Sequence, residues 1–125
     1  YFSRLMLVQN LSAVSAACLV VRKEIYEVVG GLNEVDLKVA FNDVDFCLKV
    51  LQQGYRNLWT PYAELYHHES KSRGAEDTPE KMARFAHEVE FMKAYWGKSL
   101  LQDSYYNPNL SRGRENFSLC LKVEC

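Results

Sequence analysis

Residues 42–61 read NDVDFCLKVLQQGYRNLWTP, and this stretch sets a helix directly before a strand. Asn42 is a favourable N-cap. Val44, Leu48 and Leu51 recur at helical spacing and Cys47 widens the stripe. Gly54 supplies a stop. The pattern predicts a helix from Asn42 through about Gln53, then a short strand in RNLWTP ended by Pro61. Alternation of this kind points to an α/β chain.

Upstream, Leu11–Val21 holds the apolar run AVSAACLVV, which predicts a buried strand. In RKEIYEVVGG, the spacing of Ile25, Val28 and Val29 predicts a short helix, stopped by Gly30 and Gly31. GLNEVDLKVA is a polar loop. Downstream, AELYHHE predicts a further strand and ESKSRGAED a polar loop. Thr78 caps a long helix with Pro79 at its first position. Its stripe is Met82, Phe85, Ala86, Val89 and Met92, and its end is expected near Gly97. The last segment has weak periodicity and predicts an irregular tail packed on the rest. The strands are expected in a mixed sheet flanked by helices, as one unit: a lead-in over 1–10, a core over 11–97 and a tail over 98–125.

The 125 residues carry 15 basic and 16 acidic side chains. That balance offers no general field for nucleic acid or an anionic membrane. The spacing of the four cysteines fits neither a zinc cluster nor a dense disulfide scaffold. Cys18 and Cys47 lie in apolar runs as small hydrophobes. A reducing compartment is expected, with Cys120 and Cys125 able to cross-link. No apolar run reaches the roughly 18–20 residues that cross a bilayer. YFSRLMLVQN has no initiator Met and no signal-peptide layout, so it reads as the middle of a longer protein.

Three stretches could carry chemistry. Asp43 and Asp45 fall in the first turn of a helix, where acids are ordinary capping chemistry; Asp43 could also serve as a general base. In HHESKSRG, His67 and His68 would point to opposite faces of a strand, so one of them at most could ligate a given metal. Ser72, Arg73 and Gly74 suit phosphate oxygens, although a solvated loop reads the same way. Gly30, Gly31, Asn33 and Glu34 are a turn that could lie over a pocket. Trp59, Tyr62, Tyr66, Tyr95 and Trp96 could stack on a sugar ring, but such spacing more often means core or rim.

Taken in order, AVSAACLVVRKEIYEVVGGLNE and FNDVDFCLKVLQQGYRNLWTPYAELYHHESKSRG resemble family 2 glycosyltransferases of the GT-A fold, in their bacterial cell-surface polysaccharide and rhamnosyltransferase-like branch. The tail, from EDTPEKMARFAHEVEFMKAYWG to DSYYNPNLS, extends the likeness to about Asn109. The resemblance implies the C-terminal, acceptor-side half of a nucleotide-diphospho-sugar transferase. Asp43 matches the base of inverting members. Asp45, Gly31, Asn33 and Glu34 match the acceptor side. Ser72 and Arg73 match positions near the donor diphosphate. His67, preferred over His68, matches a late metal ligand for Mn²⁺ or Mg²⁺. The family has Glu-Asp where this chain has Asn42-Asp43, and its upstream Asp-x-Asp has no match here. The resemblance therefore implies a fragment that is inactive alone, a glycan or lipid-linked acceptor, and cytoplasmic placement, with the inner membrane face left open. A bare sheet edge would favour self-association. A non-catalytic carbohydrate- or protein-binding module is the alternative from another class. A small metal protein using His67, His68 and Glu69 is disfavoured, because adjacent ligands on one strand diverge.

Overall fold

In the computed structural model, which describes residues 3–66, 68, 78–114 and 116–120, a two-stranded sheet packs with three helices. The order is β1 (Gln9–Leu11), α1 (Lys23–Val28), α2 (Asn42–Gln52), β2 (Asn57–Trp59) and α3 (Pro79–Leu101), with 3₁₀ turns at Arg4–Met6 and Ala16–Cys18. The strands are antiparallel, with Gln9 opposite Trp59, Asn10 opposite Leu58 and Leu11 opposite Asn57.

α2 is the centre of the packing. Leu48 joins Leu37, Met92 and Trp96 in the core, with Phe41, Val44, Leu51 and Phe91 around them. On another side Phe46 meets Tyr26, ring centroids 5.5 Å apart. The buried amide of Asn57 donates to Ser12 O and to Cys47 O, both at 3.0 Å, and so ties β2 to the segment after β1 and to α2. Gly54, at φ 80°, lets the chain turn out of α2 and leads directly into β2.

Several expectations need correction. The run Leu11–Val21 is a strand only at its start: Ser15 caps the 3₁₀ turn by accepting Ala17 N–H, and Val20 is 94% exposed. A continuous apolar run becomes a buried strand only with neighbours on both sides, and β2 is its one partner among the described residues. Residues 63–66 are exposed and make no ladder, so AELYHHE is not a strand over its described part. Asn42 is not the cap of α2; Phe41 is, in the left-handed region at φ 61°. α3 runs past Gly97 to Leu101, because one glycine costs about 1 kcal/mol against Ala, which a packed helix of this length absorbs. Its buried line is Glu88, Met92 and Trp96, while Met82 and Phe85 stay 61% and 43% exposed. Thr78 does cap α3, accepting Lys81 N–H at 3.3 Å. Residues 102–120 are irregular among those described, apart from a bridge between Leu110 and Leu119. Tyr106 packs on Phe117, which in turn lies beneath the Arg4 guanidinium.

The cysteines also depart from the reading. Cys18 is exposed rather than buried, Cys47 is buried, and both are free thiols. Cys120 is disulfide-bonded, a cross-link that the sequence left open for this cysteine. No helix among the described residues is long and apolar enough to cross a membrane.

Candidate functional site

The first turn of α2 and the loop before it gather most of the residues singled out in the sequence. Asp43 is half-buried. Its Oδ2 accepts Ala16 N–H at 3.2 Å, and its Oδ1 lies 2.9 Å from Val44 N. One turn further on, Cys47 Sγ meets the N–H and the C=O of Val14 at 3.4 and 3.6 Å. The segment 14–16 is therefore docked along the 43/47 edge of α2. A carboxylate has about four lone-pair sites, so Asp43 keeps capacity for a further donor.

Asp45 points the other way. It is 1% exposed, and its Oδ1 accepts the indole N–H of Trp96 at 2.8 Å. Its Oδ2 forms an ion pair with Lys49 Nζ at 2.6 Å. Lys49 Nζ also reaches Gly31 O at 3.5 Å. Gly31 is buried at φ 65°, where a Cβ would lie 2.8 Å from the Tyr26 ring. Glycine is thus required there by conformation and by the ring's approach. Among the described residues, the Asp45 carboxylate meets Trp96 and Lys49.

Asn33 shapes the loop itself. Its Oδ1 accepts Val35 N–H and Asp36 N–H at 3.1 and 3.0 Å, a local turn typical of Asn. Asn33 N–H donates to Asn42 Oδ1 at 2.9 Å, while Asn42 Nδ2 donates to Asn33 O at 3.2 Å and Leu37 O at 2.8 Å. Asn42 is a clasp between loop and helix. A carboxylate could accept the one N–H but could donate to neither carbonyl, which gives a folding reason for an amide at this position. Glu34 is exposed on the outer side of the loop. His68 is exposed too, while His67, Ser72 and Arg73 lie outside the described residues. Among the described residues, no three His, Cys, Asp or Glu side chains come together as a metal site.

Two curated proteins are similar to this chain. The uncharacterized protein y4gI of Sinorhizobium fredii is 61% identical over 119 residues, 95% of the chain. The O-antigen biosynthesis protein RfbC of Myxococcus xanthus is 35% identical over 103 residues, 82% of the chain. The chain spans 13% of the first relative's length and 8% of the second's. No protein-family profile matches the chain, and no solved structure matches it.

The residues that sequence reasoning passed over are Glu88 and Asn57, both buried and both gripping backbone. Glu88 left a trace: it sits one turn before Met92 and two before Trp96, an acid in line with apolar neighbours. Asn57, next to a predicted strand, left none.

Two measurements probe this arrangement. Asn42→Asp keeps the acceptor and loses both donors, leaving the carbonyls of Asn33 and Leu37 facing a carboxylate. We expect a loss of about 1–3 kcal/mol, seen as a lower urea midpoint with an unchanged slope. An unchanged midpoint would show that the clasp contributes nothing. For the thiols, burial is the main cause that pushes Cys47 above its ordinary range; the Val14 backbone bond opposes the shift and Asp43 adds to it. Only the thiolate is nucleophilic. At pH 8 iodoacetamide should therefore modify exposed Cys18 rapidly and Cys47 only on unfolding. Equal rates in the native state would contradict the packing of segment 14–16 on α2.

Proposed function

We propose that this chain is the acceptor-side part of a longer, inverting family 2 glycosyltransferase of the GT-A fold, acting in cell-surface polysaccharide synthesis. The observation that carries this reading is Asp43: a half-buried carboxylate in the first turn of α2, oriented by Ala16 N–H, with lone pairs left for a hydroxyl proton. The relative named for O-antigen biosynthesis and the order of the sequence motifs support it.

In this reading Asp43 accepts the proton of an acceptor hydroxyl as that oxygen attacks the anomeric carbon. The new glycosidic C–O bond forms as the bond to the nucleoside diphosphate breaks, with inversion. Of the acceptor-side residues Glu34 is open to solvent, Asn33 is half-buried, and Gly31 and Asp45 are buried. Ser72 and Arg73 are assigned to the donor diphosphate by their place in the motif. His67, preferred over His68, supplies one ligand to Mn²⁺ or Mg²⁺. The resemblance puts the other metal ligands and the grip on the nucleotide in upstream parts of the longer protein, and the proton step at Asp43 does not pass through the metal. The acceptor is a glycan or lipid-linked acceptor, the compartment is the cytoplasm with the inner membrane face left open, and an open sheet edge favours self-association of the isolated chain.

A non-catalytic binding module remains the reading from another class. Its main support was Asn42 in place of an acid, and the clasp accounts for that residue on folding grounds. The test is transfer. The full-length protein, given radiolabelled nucleotide-sugars and glycan-bearing membranes, should move label into glycan, and the isolated chain should not. Absence of transfer from every uridine, thymidine and guanosine diphosphate sugar would overturn the enzyme reading. Sub-micromolar binding of a nucleotide-sugar to the isolated chain would overturn the assignment of the donor grip to other residues.

A further inference from the structure

Glu88 lies near the middle of α3 with 1% of its surface exposed. Its two carboxylate oxygens accept Val39 N–H at 2.9 Å and Ala40 N–H at 3.0 Å. Hydrogen bonds to an ionised acceptor are roughly twice as strong as neutral ones. Arg84, one turn earlier, brings its Nε to 3.8 Å from the same carboxylate and offsets its charge. The backbone held in this way leads at once into Phe41, whose left-handed conformation starts α2 and whose carbonyl accepts Asp45 N–H. Phe41 is itself seated on Phe85 of α3, ring centroids 5.5 Å apart.

α3 thus holds the start of α2 at two points. Glu88 grips residues 39 and 40, before Asp43, and Trp96 grips Asp45, after it. Glu88 and Trp96 lie on the same buried line of α3. Asp43 lies between the two grips, on the edge of α2 that faces segment 14–16.

We propose that Glu88 is a positioning residue for the reaction at Asp43: it clamps the backbone of Val39 and Ala40 and so fixes the angle at which the first turn of α2 presents the Asp43 carboxylate to the acceptor hydroxyl. This rests on the reading of Asp43 as general base. A misplacement of about 1 Å in a reacting group can cost on the order of 10²-fold in rate, so a buried residue that touches no substrate can control turnover.

The experiment compares Glu88→Gln and Asp43→Asn in the full-length protein. Glutamine keeps the volume and one acceptor oxygen, but turns an NH₂ toward one of the two backbone N–H groups. Glu88→Gln should lower kcat roughly 10- to 100-fold with donor KM within about twofold. It should keep the acid limb of the kcat–pH profile, because the base is still present, whereas Asp43→Asn should lose that limb with its activity. Amide exchange in Glu88→Gln should speed up at residues 39–45 and stay unchanged at 48–52. If Glu88→Gln does not fold, Glu88→Asp carries the same expectations, since drawing the charge back by one methylene must release at least one N–H. Unchanged exchange at 39–45, or faster exchange along the whole of α2, overturns the clamp. Unchanged kcat in Glu88→Gln beside an inactive Asp43→Asn overturns Glu88 alone. Near-normal transfer by Asp43→Asn overturns the base and, with it, the role given to Glu88.

Discussion

Asp45→Ala should lower the unfolding free energy by about 3–5 kcal/mol, the cost of breaking a buried pair by removing one partner. The mutation strands two groups at once. The Trp96 indole N–H loses its acceptor inside the core, and Lys49 Nζ keeps only Gly31 O, at 3.5 Å. Total stability of a domain is about 5–15 kcal/mol, so the variant would sit close to the folding threshold. Thermal unfolding should show a midpoint lower by roughly 10–20 °C for a chain of this size. Asp45→Asn should fall in between, since an amide oxygen can still accept from Trp96 while the ion pair is lost. Combining Asp45→Asn with Lys49→Met removes both charges together and should recover part of the loss, because an apolar replacement of a buried pair is often neutral or better. A change below about 1 kcal/mol in Asp45→Ala would mean that α2 and α3 do not need this contact, against the general cost of unsatisfied buried polar groups.

The same contact shows where sequence reading stopped. Local signals held: the Thr78–Pro79 start of α3, the Gly30–Gly31 end after α1, the Gly54 turn and the strand at Asn57–Trp59 each depend on neighbours within a few residues. The apolar run after Leu11 failed because a strand is decided by what lies beside it, and the hydroxyl of Ser15 instead closes a turn. Asp43 and Asp45 are two residues apart and look equivalent in the sequence. In the fold one faces segment 14–16 and the other faces Trp96, across 51 residues of chain. Helical periodicity states that two such positions diverge by about 200°. It does not state which of them meets solvent. That is decided by α3, whose buried line is Glu88, Met92 and Trp96 rather than the stripe of Met82, Phe85, Ala86, Val89 and Met92 expected from the spacing. Once Glu88, Met92 and Trp96 are taken as the inward line, the orientation of α2 follows, and with it the inward turn of Asp45.

The divergence of the two acids makes Asp43→Asn in the full-length protein the most informative substitution. If Asp43 is the general base, the isosteric amide cannot take the hydroxyl proton, and transfer should fall by about 10²–10⁴-fold. That corresponds to roughly 3–5 kcal/mol of transition-state stabilisation. The folding cost should be smaller. An amide oxygen can still accept Ala16 N–H or Val44 N–H, now 3.2 and 2.9 Å from the two carboxylate oxygens. One hydrogen bond is worth about 0.5–1.5 kcal/mol. Removing a negative charge from the solvent-facing side of a helix's first turn costs about 0.3–1 kcal/mol more. Activity and stability therefore separate in this variant. In Asp45→Asn they should move together, because that side chain is shut inside and acts through the fold. Near-normal transfer by Asp43→Asn would remove the base from α2, whereas equal losses of activity and stability in both variants would make Asp43 a helix-start acid with no part in the chemistry.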